Sequence, residues 1–213
     1  MMALVSSCSH NDEPTPNPDE PTGKAFKGII FAAGITNPEG NSGSVYMQSL
    51  PDMVPGNYDN SNAIPVGFGT VPIVAKSGNI YVLPDYMGNT KAEIACYRLY
   101  ADGKWQKKGT MQIPPKAAAC CVVELNSEKA YISLQGLGTV IVFNPTTMTR
   151  IAEIDLNGLK QADTNVSPAS MVIRDGKLFV GLNQMNAQYM PTRNNIELAM
   201  IDTKTDKVEK HIV

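Results

Sequence analysis

The sequence has no long apolar run, few histidines and no excess of either charge, and each absence removes a class of function. Its longest unbroken apolar stretch, Ala117 to Val123, falls far short of the roughly 20 residues that a membrane-crossing helix needs. Lys and Arg number 18 against 20 Asp and Glu, with no cationic stripe. Without surplus cations there is little to displace counterions from a nucleic-acid backbone, and no nucleic-acid partner is expected. The only histidines are His10, near the N-terminus, and His211, near the C-terminal end. Such a pair makes neither a multi-histidine metal site nor a Ser-His-Asp triad. No zinc-ligand spacing or paired-carboxylate pattern stands out, and the Gly-containing stretch 34–43 leads into a strand rather than the helix N-terminus that a phosphate site wants. No catalytic residue, metal site or cofactor is therefore expected. Cysteine is scarce: Cys8 stands apart, while Cys96, Cys120 and Cys121 sit inside strand-like apolar patterns and read as small buried hydrophobes. Adjacent Cys120 and Cys121 point to opposite faces of a strand, and a disulfide from Cys96 to either is left open.

What the sequence does have is a repeat. The segments Ile29-Ile30-Phe31-Ala32, Ile80-Tyr81-Val82-Leu83, Ala130-Tyr131-Ile132-Ser133 and Leu178-Phe179-Val180-Gly181 place an aromatic at spacings of 50, 50 and 48 residues. A period of this length built from short strands is the pattern of propeller blades. The third copy parses cleanly into strands at 119–125, 129–134, 139–143 and 149–156, joined by the Asn126-Ser127-Glu128 turn, the 135–138 loop and the Asn144-Pro145-Thr146-Thr147 turn. Matching turns are Lys76–Asn79 and Ala101–Lys104 in the second copy, and Arg174–Lys177 and Asp202–Asp206 in the fourth; two contain Asp-Gly, which favours a tight hairpin. The first copy is the least regular, with strands expected at 29–33 and 44–47. Val140–Phe143 and Leu178–Val180 are continuously apolar and read as inner strands covered on both faces. Lys104–Lys108 and Lys207–His211 carry the charge and read as outer edges protected from pairing. A solenoid would not show this gradient, and an immunoglobulin-like sandwich would not repeat at this period.

The third copy, through Lys129-Ala130-Tyr131-Ile132, Gly138-Thr139-Val140-Ile141-Val142 and Asn144-Pro145-Thr146-Thr147, resembles the YVTN-type repeat of seven-bladed propellers. The fourth departs from it by inserting residues 183–195 in place of a short loop. The expected fold is all-β: a β-propeller of four-stranded antiparallel blades spanning 26–213. Four such units read as the N-terminal half of a larger ring of roughly six to eight blades, with a four-bladed ring as the alternative. The exposed blade faces of such a half are expected to cause self-association.

The N-terminus is of another kind. Met2-Ala3-Leu4-Val5-Ser6-Ser7-Cys8 resembles the end of a bacterial lipoprotein signal, with Cys8 as the lipidated residue, although a charged start and a full apolar region are missing. Residues 9–25 form an acidic, Pro-rich tether with almost no apolar side chain to bury. Cys8-Ser9-His10-Asn11-Asp12-Glu13 resembles the surface-export signal of Bacteroidetes lipoproteins. That resemblance implies an outer-membrane, cell-surface protein held to the membrane only through its lipid.

Loops between second and third strands gather at one end of a propeller, and three are long here: 36–43, 84–91 and 183–195. They supply Tyr86, Met87 and Lys91, then Gln184, Tyr189 and Arg193, a mixture of rings, thioether, amide and cations suited to a flat or anionic ligand. The whole chain is similar to Bacteroidetes propeller lipoproteins of unknown function. More weakly it resembles members that capture ferric siderophores for a TonB-dependent outer-membrane transporter. The implied function is non-enzymatic ligand capture. The alternatives are a scaffold or adhesion propeller binding a partner protein or glycan, and an enzyme whose site lies in further blades.

Overall fold

The computed structural model describes residues 28–34, 45–51, 63–66, 72–84, 92–100, 104–162, 164–188, 190–192 and 197–213. These form four antiparallel sheets in chain order. Blade 1 has three described strands, β1 (Gly28–Gly34), β2 (Val45–Pro51) and β3 (Ile64–Val66). Blade 2 is β4 (Pro72–Val74), β5 (Ile80–Val82), β6 (Glu93–Leu99) and β7 (Trp105–Gln112). Blade 3 comprises β8 (Ala119–Glu124), β9 (Ala130–Leu134), β10 (Thr139–Asn144) and β11 (Thr149–Asp155). Blade 4 comprises β12 (Pro168–Arg174), β13 (Lys177–Leu182), β14 (Glu197–Asp202) and β15 (Lys207–Ile212). Each is a simple up-and-down meander, and the architecture is the β-propeller expected from the repeat. The strand boundaries of blade 3 agree with those read from its turns to within about one residue.

The core lies between blades rather than within any one of them. Ile30, Ile64 and Val66 of blade 1 pack on Ile80, Val82, Ala95 and Leu99 of blade 2. The other face of blade 2, with Tyr81, Ile94, Cys96 and Met111, meets Ile132, Leu134, Ile141 and Phe143 of blade 3. The far face of blade 3, with Tyr131, Val140, Val142 and Ile154, meets Met171, Leu178, Val180 and Ile201 of blade 4. Period-2 alternation therefore sends successive residues of β10 to two different cores: Val140 and Val142 one way, Ile141 and Phe143 the other. Each fully buried side chain of this size contributes about 1.5–3 kcal/mol.

The radial order refines the sequence reading. Contacts between β8 and β12 bring first strands of neighbouring blades together, so first strands are innermost, and β1, which carries the repeat position of β5, β9 and β13, is the second-strand equivalent of blade 1. Val140–Phe143 and Leu178–Val180 lie in middle strands rather than innermost ones, and among the described residues β10 is covered on two sides by other sheets and β13 on one. The charged β7 and β15 are outer edges, as anticipated. In β13 burial alternates, with Leu178 and Val180 buried and Phe179 half-buried, because only one face of blade 4 has a described neighbour.

Cys96 is buried between blades 2 and 3, Cys121 packs between blades 3 and 4, and Cys120 is exposed; all three are free thiols. Cys120 is the extra residue of a bulge between Ala119 and Cys121, so the expected strict alternation of these two cysteines is interrupted.

Candidate functional site

The registers define two ends. Ala119, Leu134, Thr139 and Asp155 of blade 3 align at one, the loop end, and Glu124, Ala130 and Asn144 at the other, the turn end. In blade 4 the loop end holds Pro168, Leu182 and Glu197. The long second-to-third-strand loops and the linkers between blades all leave from the loop end.

The first strands of blades 3 and 4 start there from a left-handed residue, Ala118 at φ 48° and Ser167 at φ 49°. The consequence is the same in both blades. Gln135 and Gly136 donate their N–H groups to the carbonyls of Ala118 and Ala117, and Asn183 and Gln184 donate theirs to Ser167 and Val166. The start of the second-to-third-strand loop is thus stitched to the start of the first strand. Blade 3 then turns back at once. A Cβ on Gly136 would lie 2.3 Å from the Lys116 carbonyl oxygen, so only glycine fits that fold-over.

In blade 4 the equivalent position is Gln184, and the loop extends instead of turning back. Gln184 has 0% exposure, and its backbone is left-handed at φ 45°. Its Oε1 accepts from the Gln161 N–H at 3.1 Å and the Thr164 hydroxyl at 3.0 Å. Its Nε2 donates to the Leu159 carbonyl at 3.0 Å and to Glu197 Oε2 at 2.8 Å. All the hydrogen-bonding capacity of the amide is used inside the fold. Gln184 is thus a brace that ties the loop to the linker from blade 3, and the sequence expectation of a ligand-facing amide is corrected: a saturated, buried amide has nothing left to offer a ligand. The brace also accounts for Glu197, a carboxylate at 2% exposure that takes a second contact from His211 Nε2 at 3.0 Å. A buried carboxylate requires such donors.

Beyond the brace the described residues 185–188 and 190–192 are bonded to one another and to Gln184. Met185 bridges to Asn165 and to Pro191, Thr192 returns its N–H and hydroxyl to the Gln184 carbonyl, and Asn186 Oδ1 caps the N–H groups of Gln188 and Met190. Met190 stands 60% exposed on it. Gln135 Nε2 contacts Met185 Sδ at 3.8 Å, and Asn165 Nδ2 reaches the Gly136 carbonyl at 3.3 Å, so the loop ends of blades 3 and 4 form one surface. Of the residues expected to bind a ligand, Tyr86, Met87, Lys91, Tyr189 and Arg193 lie outside the described residues, as do Cys8 and the tether. Sequence reading missed Gln161, Thr164 and Asn165, which come from a linker with no apolar period. The Thr-Asn pair after Gln161 was the one available signal of a turn there.

The turn end is chemically different. Asn144 Oδ1 accepts the N–H groups of Thr146 and Thr147, and Asp202 Oδ1 those of Lys204 and Thr205. Asp175 and Gly176, at φ 51° and 71°, occupy the two central positions of a hairpin turn that demands left-handed residues. Carboxylates also join the blades here. Tyr81 donates to Glu124 at 2.5 Å, with Asn79 Nδ2 on the same oxygen at 2.8 Å. Tyr131 donates to Asp206 at 2.9 Å, with Lys129 2.7 Å from that carboxylate. Burial, then the carboxylate partner, pushes both tyrosine hydroxyls far above their usual range. Burial likewise pushes the Cys96 thiol up to about 11, which keeps it protonated and inert. Among the described residues, no cluster of His, Cys, Asp and Glu is arranged to hold a metal ion.

No protein-family description and no curated protein matches the sequence. Solved structures resemble it at low identity. One is a Bacteroides caccae protein of unknown function, 12% identical, with TM-score 0.49, over 91% of this chain and 68% of that one. Another is virginiamycin B lyase from Staphylococcus aureus, 13% identical, with TM-score 0.47, over 93% of this chain and 57% of the lyase. Hydrazine synthase from Kuenenia stuttgartiensis is 12% identical, with TM-score 0.49, over 79% of this chain, which spans 42% of the synthase's length.

Proposed function

We propose that this chain is a non-enzymatic binding module whose recognition surface is the loop end of its blades. The observation that supports this most is the Gln184 brace. Four hydrogen bonds from a fully buried amide hold a projecting segment that packs into none of the inter-blade cores. A segment held rigid yet excluded from the core suits display, since ordering it in advance lowers the entropy lost on binding. The left-handed Ala118 and Ser167 support the same reading, because backbone of this kind concentrates at functional surfaces.

The finer reading rests on the resemblance to surface lipoproteins. The module hangs from a lipidated Cys8 on the tether at the outer face of the outer membrane and captures a ferric siderophore for a TonB-dependent transporter. Tyr86, Met87, Lys91, Tyr189 and Arg193 supply rings, thioether and cations to an anionic iron-catecholate. Isothermal titration with a ferric tris-catecholate tests this. Saturable binding, weakened at least about tenfold by Lys91→Ala with Arg193→Ala, is expected. Absence of saturable heat overturns the siderophore assignment, and binding that survives replacement of residues 185–191 by a Gly-Ser turn overturns the loop-end assignment.

A further inference from the structure

Charge is divided unevenly along this chain. Residues 9–25 hold Asp12, Glu13, Asp19 and Glu20 against Lys24, whereas residues 72–112, the span of blade 2, hold Lys76, Lys91, Arg98, Lys104, Lys107 and Lys108 against Asp85, Glu93 and Asp102. Half of those cations gather at the outer strand. Lys107 and Lys108 lie in β7, Lys104 immediately precedes it, and the sequence has no carboxylate between residues 103 and 123. The outer strands β11 and β15 differ, for they carry Glu153 and Asp155, and Glu209. A bulge between Cys96 and Tyr97 makes Lys108 the extra residue of β7, so Gln106, Lys107 and Lys108 are exposed in succession instead of alternating. Glu93, 3.7 Å from Lys107, leaves that lysine side chain 50% exposed.

We infer that this lysine edge is a docking surface and that its occupant is the chain's own acidic segment, residues 12–20. Charge complementarity selects the occupant, and place and length allow it. Ala130 and Thr149 show that second and outer strands both begin at the turn end, so the chain enters β1 from the end where Lys104, Lys107 and Lys108 lie. Blade 1 also packs on the face of blade 2 that carries Tyr97 and Trp105. Stacked sheets lie about 10 Å apart, and second and fourth strands of one sheet are separated by about the same distance. From Gly28 the chain reaches back about 26 Å to Glu20 and about 53 Å to Asp12 when extended, which exceeds that separation. Neighbouring blades cover faces rather than outer edges, so the site does not depend on what flanks the blades. Pro14, Pro16 and Pro18 delete alternate N–H groups, and a segment of this kind seated on β7 offers no donor row for another chain to pair with. Its lack of apolar side chains makes the contact electrostatic and sensitive to salt. The covalent link to blade 1 raises its local concentration.

Carbodiimide coupling of the full chain, read by peptide mass mapping, tests the inference independently of any ligand, because the reagent joins a carboxylate to an amine where the two touch. Links from Asp12, Glu13, Asp19 or Glu20 to Lys104, Lys107 or Lys108 are expected to exceed those to the exposed Lys116, Lys160 and Lys204 at least about fivefold, and to fall by a similar factor at about 1 M salt. Lys107→Gln with Lys108→Gln is expected to deplete the remaining links to Lys104 while leaving the circular dichroism unchanged. Absent links, links spread evenly over the lysines, links that persist at high salt, or links between isotopically labelled and unlabelled chains would each overturn the assignment. Poly-glutamate should bind more tightly once Asp12→Asn, Glu13→Gln, Asp19→Asn and Glu20→Gln free the edge. Equal binding to wild type would show an edge open to outside partners and would overturn it as well.

Discussion

The two ends of the blades hold similar backbone conformations by different means. At the turn end, left-handed residues occupy slots that the hairpin itself dictates, and the side chains that stabilise them lie two or three residues away: Asn144 over Thr146 and Thr147, Asp202 over Lys204 and Thr205. At the loop end, Asn165 Oδ1 accepts the Ser167 N–H from two residues on, but the wider support of left-handed Ala118 and Ser167 comes from further along the chain. Their start-of-strand backbone is also held by hydrogen bonds from Gln135, Gly136, Asn183 and Gln184, which lie 16 to 19 positions downstream of the carbonyls they reach, just past the second strand. A left-handed residue without a glycine's freedom costs about 1–2 kcal/mol, which only tertiary bonding offsets. The turn end is thus a local structure repeated per blade. The loop end is a tertiary structure, and it differs from blade to blade.

The sharpest way to break this contrast is to remove the brace. Gln184→Leu removes all four bonds of the brace and leaves the buried Glu197 carboxylate to the His211 contact, and a loss of about 2–4 kcal/mol in unfolding free energy is expected. Chemical denaturation measures the loss, and hydrogen exchange should show protection vanishing first in residues 185–192. A loss below about 0.5 kcal/mol would mean that the loop end is not held by this amide.

A smaller effect is expected at the turn end. Tyr131→Phe removes one inter-blade hydrogen bond while Lys129 still holds Asp206, for a cost of about 1 kcal/mol by the same denaturation measurement. Tyr81→Phe should behave alike, since Asn79 retains Glu124. If either matched Gln184→Leu, the contrast between local and tertiary ends would fail.

The smallest effect is one of acidity. The Lys177 ammonium, then the Thr205 backbone N–H, hold the Asp202 carboxyl well below the usual range. The folded chain therefore gives up this proton at lower pH than the unfolded chain. Its contribution is complete above the unfolded carboxylate range near about pH 4 and is lost as pH falls through the folded value. Thermal melts should show Tm falling from pH 5 to pH 3 more steeply for wild type than for Asp202→Asn, which keeps the Oδ1 turn cap. Parallel slopes would remove Asp202 from the account. The partner Lys177 is raised, first by Asp202 and then by Glu209, so its contribution fades only as pH climbs through the lysine range.

Repeat period, strand order and turn-end chemistry were readable because each depends on residues close in sequence. Tyr81 and Tyr131 showed the period, Asn144 and Asp202 marked turns, and the charge of β7 and β15 marked outer edges. The loop end was legible only as a set of long connections. Gln184 looked like one more polar loop residue, and nothing near it in the chain announces that Leu159, Gln161, Thr164 and Glu197 converge on its amide. The joints from Tyr81 to Glu124 and from Tyr131 to Asp206 were equally hidden, for they span 43 and 75 positions.

Taken alone, the sequence determined that this protein is built of repeated antiparallel strands, because alternation, tight turns and period are local properties of the chain. Tertiary structure alone decided which faces meet, which carboxylates receive the buried tyrosine hydroxyls and that Gln184 braces its loop. Those outcomes depend on desolvated groups finding partners across sheets, and burial, unlike alternation, is a property of the assembled fold.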